Sequence, residues 1–144
     1  MSTTADASRL ASIQPGDTLP ERFFTTDIVQ SMLYNAVLWN AHRIHFDASY
    51  AKNVEGYPGL VTAGPLLGDW LHQCLEEWLG EDGRITTIEY SNRIASYIDE
   101  TVHSGGTVTA CDPATGEVTV DVFIKNEAGD VITPGVATVR FTDA

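Results

Sequence analysis

The stretch WNAHRIHFD, residues 39–47, contains two histidines, an asparagine, an arginine and an aspartate together with two aromatic residues. Imidazole has an unperturbed pKa of about 6.5, so a histidine can accept a proton and return it near neutral pH. A carboxamide cannot take a proton, but it can accept and donate hydrogen bonds. These residue types are suited to acid/base chemistry or to metal binding.

A metal site would require His42, His45 and Asp47 to converge on one ion. The sequence offers no second Cys/His cluster to complete such a site. We expect the other histidines, His72 and His103, on the surfaces of a helix and a strand. The stretch therefore favours acid/base chemistry, and we expect neither a metal nor another cofactor.

The first element that positions this stretch is a predicted helix immediately before it. RFFTT at 22–26 is typical of a short strand, and Thr26 or Asp27 then caps a helix from 27 to about 39. Apolar residues recur along it at helical spacing: Ile28, Met32, Ala36 and Trp39. Asp47 is expected to cap a short turn after the stretch.

A second helix, from about 65 to 79, is the clearest element of the sequence. Gly64 and Pro65 are typical of a helix start, and Gly80 of a C-cap. A wide apolar stripe predicts that this helix is buried. The stripe consists of Leu66, Leu67, Trp70, Leu71, Cys74, Leu75, Trp78 and Leu79.

From Arg84 onward the apolar residues alternate, which is typical of strands. SGG, DPATG, NEAGD and TPG are interpreted as turns, so HSGGT at 103–107 is a predicted hairpin turn rather than a phosphate-binding loop. With RFFTT this gives about five antiparallel strands. Helices followed by strands predict an α+β fold in which the sheet wraps around the long helix.

Length and charge restrict the function classes. The 144 residues predict one domain over 15–144, preceded by a flexible N-terminal arm over 1–14. The net charge of −12 and the lack of a basic block argue against nucleic acid and anionic membranes as partners. No apolar run approaches the 18 to 20 residues, roughly, that span a bilayer. Two widely spaced cysteines favour a reducing, cytoplasmic location.

NAHRIHFD, EGYPGLVTAGPL and the buried helix, in this order, resemble the hotdog fold of MaoC-like enoyl-CoA hydratases and 3-hydroxyacyl-CoA dehydratases. The sequence is most similar to the branch with an N-x-H-R-I-H motif, over about residues 15 to 143. The resemblance implies a single hotdog fold and a hydro-lyase acting on 2-enoyl or 3-hydroxyacyl-CoA, in fatty acid or steroid side-chain metabolism. It also implies a homodimer, or a heteromer with a second hotdog chain.

In the wider family, an Asp lies five residues before the catalytic His, and a second Asp lies two residues after it. These positions fall on Asn40, His45 and Asp47 of this sequence. The family's His-Gly pair falls on Ala63 and Gly64. The sequence thus departs from the family pattern where Asn40 replaces an acid and Ala63 replaces a histidine.

The resemblance implies three catalytic groups. His45 would be the acid/base, and Asn40 would orient the water unless it only ends its helix. The Gly64 backbone N–H would stabilise the thioester oxygen as its charge develops, because a helix N-terminus has free donors and glycine has no side chain in the way. A cap glycine without this role is the alternative.

We expect four further residues to contact the substrate: Arg43, Tyr57, Ala63 and Leu66. Arg43 either pairs with an acid, which we favour, or binds a CoA phosphate. If the stretch is extended, His42 points away from His45 and forms structural hydrogen bonds.

Two other functions remain open. The chain could be a non-catalytic or half-site subunit that shapes the acyl-CoA pocket of a heteromer, which Asn40, Ala63 and the acidic charge favour. A hotdog thioesterase is weaker, because those enzymes use a carboxylate near the helix rather than this histidine motif.

Overall fold

The computed structural model describes residues 9–142 and has an α+β fold. Its helices are α1 (Arg9–Ser12), α2 (Ile28–Val37), α3 (Ala48–Asn53) and α4 (Gly64–Leu79), with a 3₁₀ helix at Arg43–His45. The strands are β1 (Arg22–Thr25), β2 (Gly83–Tyr90), β3 (Thr101–Asp112), β4 (Glu117–Lys125) and β5 (Val131–Phe141). They form one antiparallel sheet in the order β1-β3-β4-β5-β2. The predicted hotdog architecture of five strands and one long helix is confirmed.

Helix α4 forms the centre of the core. Its leucines at 67, 71, 75 and 79 are buried against the valines and isoleucines of β3, β4 and β5. Burying one such side chain contributes about 1.5 to 3 kcal/mol. Trp70 stacks on Phe24 of β1 at a centroid distance of 4.5 Å. The helix ends at Gly80 with φ of 59°, a conformation that glycine adopts at little cost.

Two of the predicted turns are wrong, because SGG lies inside β3 and TPG lies inside β5. A Cβ at position 105 would lie 2.7 Å from the Phe123 ring, and one at position 135 would lie 2.7 Å from the Glu89 carbonyl oxygen. These glycines allow close approach of a neighbouring strand rather than a chain reversal. The predicted turns at DPATG and NEAGD are correct.

The structure describes only part of the predicted N-terminal arm, since residues 1–8 lie outside the described range. Rather than a free arm, the described part contains α1, whose Leu10 is buried in the core. Arg9 donates hydrogen bonds to the carbonyl oxygens of Trp78 and Leu79 and pairs with Asp82. This segment is therefore attached to the C-terminal end of α4, where a cation is favourable.

Helix α2 begins after Asp27, whose carboxylate accepts the Gln30 N–H, and it ends two residues before Trp39. It buries its polar residues Ser31 and Asn35. Its apolar residues point outward: Ile28, Val29, Met32, Leu33 and Val37 are all exposed. Trp39 follows the helix with φ of 53° and is 94% exposed. Among residues 9–142, no helix is both long and apolar enough to cross a membrane.

Candidate active site

The 3₁₀ helix Arg43–His45 places the His45 side chain against the segment that leads into α4. The Val61 N–H donates to the Ile44 carbonyl at 3.0 Å, so the two segments run side by side. His45 Nδ1 lies 2.7 Å from the Val61 carbonyl oxygen, and the His45 side chain is buried, with 7% of the residue exposed. Ser31 of α2 donates to the His45 carbonyl. The imidazole is therefore fixed in orientation.

Burial lowers the pKa of His45 below its usual value of 6.5, and the neighbouring His42 lowers it further. The hydrogen bond to Val61 acts in the opposite direction and raises it. A carbonyl oxygen can only accept, so Nδ1 carries the proton and donates it to Val61. Nε2 of the neutral ring then has a free lone pair, as a general base requires.

The predicted arrangement of the two histidines is wrong. The stretch is not extended, because residues 43–45 form a 3₁₀ turn. His42 and His45 consequently lie side by side, with ring centroids 5.8 Å apart. His42 is exposed, whereas His45 is buried. Among residues 9–142, no group of three or more histidine, cysteine or acidic side chains could hold a metal ion.

Gly64 lies at the N-terminus of α4, where Ala63 is an N-cap without a side-chain acceptor and Pro65 follows. No acceptor from residues 9–142 takes the Gly64 N–H. A cavity of about 280 Å³ is lined by His45, Tyr57 and Gly64. The free donor and the positive end of the helix dipole therefore lie in the same cavity as the histidine.

Four predicted site residues do not line this cavity. Asn40 accepts the His42 N–H and lines a separate cavity of about 300 Å³ beside Trp39. Arg43 pairs with Asp47 at 2.7 Å, so the favoured acid pairing is confirmed. Ala63 and Leu66 are both buried, the latter in the core. The predicted cap at Asp47 is also confirmed, since its carboxylate accepts the Tyr50 N–H.

The sequence did not identify one wall of the cavity, formed by residues 92–96. The alternation from Arg84 onward predicts that the strand continues through this segment, but β2 ends at Tyr90. The chain then turns across the N-terminus of α4, where the Thr62 N–H donates to the Ser96 carbonyl at 2.8 Å. The polar triplet SNR at 91–93, which interrupts the alternation, was the signal for this change of direction.

Comparison with known proteins points in the same direction as this geometry. Residues 2–98 match the profile of the hydroxyacyl-thioester dehydratase type 2 family. The chain is 59% identical over 34 residues to a mesaconyl-C(4)-CoA hydratase of Chloroflexus aurantiacus, a match covering 24% of this chain and 12% of that protein. It is 48% identical over 44 residues to the mitochondrial hydroxyacyl-thioester dehydratase type 2 of Schizosaccharomyces pombe, covering 31% and 15%. These matches span less than a sixth of each relative.

Solved structures with the same fold cover nearly the whole chain. An (R)-hydratase from A. caviae involved in PHA biosynthesis aligns with a TM-score of 0.82 at 18% identity, over 90% of this chain and 98% of that one. A chain of the ChsH1-ChsH2 complex from Mycobacterium tuberculosis aligns with a TM-score of 0.75 at 22% identity, over 89% and 98%. At these identities the likeness concerns the fold.

Proposed function

Because the chain belongs to the hydroxyacyl-thioester dehydratase type 2 family, we propose that it adds water to a 2-enoyl-CoA, or removes water from the corresponding 3-hydroxyacyl-CoA, with His45 as acid/base. The observation that carries the proposal is the His45–Val61 hydrogen bond at 2.7 Å. It leaves Nε2 free in a cavity that also contains the N-terminus of α4. The Gly64 N–H, which has no acceptor among residues 9–142, lies in the same cavity.

In hydration, Nε2 of His45 takes a proton from water while the water oxygen bonds to C3 of the enoyl group. The electrons of the C2–C3 double bond move toward the thioester oxygen, which becomes an enolate oxygen. The Gly64 N–H stabilises that charge. His45 then returns its proton to C2, which completes the addition of one water. Dehydration is the reverse sequence.

We further propose that a second hotdog chain, identical or different, completes the acyl-CoA pocket. Strand β2 is eight residues long, and within residues 9–142 it pairs only with β5, so its outer edge offers backbone donors and acceptors to a second chain. The apolar face of α2 is exposed on the single chain. Both features support an assembly, and the structurally similar chain from Mycobacterium tuberculosis belongs to the ChsH1-ChsH2 complex.

A half-site subunit is the second candidate, and Asn40 favours it. Asn40 stands where the wider family has an acid, and its carboxamide oxygen accepts the His42 N–H instead of facing the cavity. If the chain is active alone, Asn40 would have to turn toward the water that His45 activates. A thioesterase is less favoured, because no carboxylate is among the described residues that line the cavity.

The test is hydration of crotonyl-CoA and longer 2-enoyl-CoAs by the purified chain, followed as loss of enoyl absorbance. His45→Ala should reduce kcat on the order of 10²-fold or more, the usual share of a general acid/base. His103→Ala, on β3 outside the cavity, is the matched control and should retain activity.

The pH profile tests the same assignment. Hydration needs the neutral imidazole, so activity should fall as pH drops through the pKa of His45. Because burial lowers that pKa, the acid limb should have its midpoint below 6.5. Full activity of His45→Ala would rule out the mechanism, whereas an inactive parent that becomes active with a second hotdog chain would establish the subunit role.

A further inference from the structure

Two glycines on one face of α4 admit two side chains from the segment that follows β2. The Tyr90 side chain occupies the place where a Cβ on residue 68 would lie. Asn92 Nδ2 lies 2.5 Å from the Cβ position of residue 64. The spacing is regular, because four helical residues rise about 6 Å and two residues of extended chain span about 6.6 Å. Asn92 is thereby held against the first residue of α4.

The orientation of the Asn92 carboxamide is set by β5. Thr133 is fully buried, and its hydroxyl donates to Asn92 Oδ1 at 2.9 Å. The backbone on either side is also fixed, since the Ser91 and Arg93 N–H groups donate to carbonyl oxygens of β5. With Oδ1 directed at Thr133, the amide NH₂ is the part that faces Gly64 and the cavity.

Two kinds of donor therefore face the same cavity. The Gly64 N–H and the Asn92 NH₂ both lack an acceptor among residues 9–142. Donors held close together repel one another unless an acceptor lies between them. A carbonyl oxygen has two lone pairs and can accept from both. The pairing suits an oxygen atom supplied by a ligand.

We propose that Asn92 is a catalytic residue whose carboxamide donates, together with the Gly64 N–H, to the thioester oxygen of the substrate. This inference rests on the proposed hydratase function. Both donors bind the enolate oxygen more strongly than the carbonyl oxygen, so their effect falls on kcat more than on KM. Thr133 is a positioning residue that acts through Asn92.

The first experiment is kinetic. Asn92→Ala should reduce kcat for crotonyl-CoA hydration on the order of 10²-fold, the usual effect of losing one oxyanion donor. Asn53→Ala, the same truncation at an exposed residue of α3, is the control and should leave kcat unchanged. Thr133→Val should cause a smaller loss, and Thr133→Ser, which keeps the hydroxyl, should restore activity.

The second experiment does not depend on turnover. Donors to the thioester oxygen polarise a conjugated acyl group and shift its absorption to longer wavelength. The probe is 2,4-hexadienoyl-CoA bound to the full chain in its native assembly. The red shift should be present in the parent and in His45→Ala, and it should be lost or strongly reduced in Asn92→Ala.

The outcomes separate the two proposals. A parent that shows the Asn92-dependent red shift but no hydration supports the donor role and contradicts the hydratase function. An active parent whose kcat and red shift are unchanged in Asn92→Ala contradicts the donor role alone. A loss of activity with an undiminished red shift would make Asn92 structural and would also overturn the inference, as would a parent without any red shift.

Discussion

Helices α2 and α4 have similar apolar spacing in the sequence, yet they face opposite ways in the fold. Helix α4 buries its leucines against the sheet. Helix α2 buries Ser31 and Asn35 and exposes its apolar residues. Apolar periodicity therefore indicates a face that needs to be covered, but it does not indicate whether the same chain provides the cover.

The polar inner face of α2 has its own role in the site. Ser31 donates to the His45 carbonyl, and the Asn35 amide donates to the Ser31 carbonyl. Polar groups that hold a 3₁₀ turn are needed here, because the short turn leaves backbone groups without helical partners. The difference between the two helices is thus that α4 supports the fold and α2 supports the turn that carries His45.

The largest expected effect tests the difference in burial. Leu71→Ala in α4 should lower the free energy of unfolding by about 2 to 5 kcal/mol, since the residue is fully buried and a cavity would remain. Leu33→Ala in α2 makes the same change at a residue that is 57% exposed. In the monomer it should change stability by no more than about 0.5 kcal/mol. Denaturant unfolding at matched assembly state measures both.

Equal losses for the two leucines in the monomer would mean that the α2 face is covered within one chain, and the contrast between the helices would disappear.

Sequence periodicity was sufficient for α4, because Leu67, Leu71 and Leu75 meet a sheet of the same chain. His45 was located differently, through the N-x-H-R-I-H motif. It did not identify Asn92, because that residue reaches the site only through the packing of Tyr90 and Asn92 against two glycines of α4, far away in sequence. Tertiary contacts of this kind leave no periodic pattern.

The second effect concerns assembly. If a second chain covers the α2 face, Leu33→Ser and Trp39→Ser should each weaken association about 10-fold or more, which is about 1.4 kcal/mol. Val54→Ser, at an exposed apolar residue after α3, is the matched control. Sedimentation over a concentration series measures the change. Unaltered association in both Leu33→Ser and Trp39→Ser would place the interface elsewhere, for example on the edge of β2.

The smallest effect distinguishes the two helix N-termini. Asp27 accepts the Gln30 N–H at 2.7 Å, whereas Ala63 provides no side-chain cap to α4. Asp27→Ala should reduce stability by about 1 kcal/mol, and Asp27→Asn, which keeps an acceptor, should lose little. Thermal unfolding measures both, with kcat expected to be retained. If Asp27→Asn is as damaging as Asp27→Ala, the charge rather than the cap is what stabilises α2.

The attachment of Arg9 to the far end of α4 has a consequence for the order of folding. Arg9 and Leu79 are 70 positions apart, so their contact closes a long loop. The entropic cost of closing that loop is offset by favourable contacts only once α4 is in place. We therefore expect α1 to dock among the last elements and to detach among the first. Limited proteolysis around residues 9–16 would report this local opening. The opening would occur at the C-terminal end of α4, about 24 Å along the helix from Gly64 at its N-terminal end.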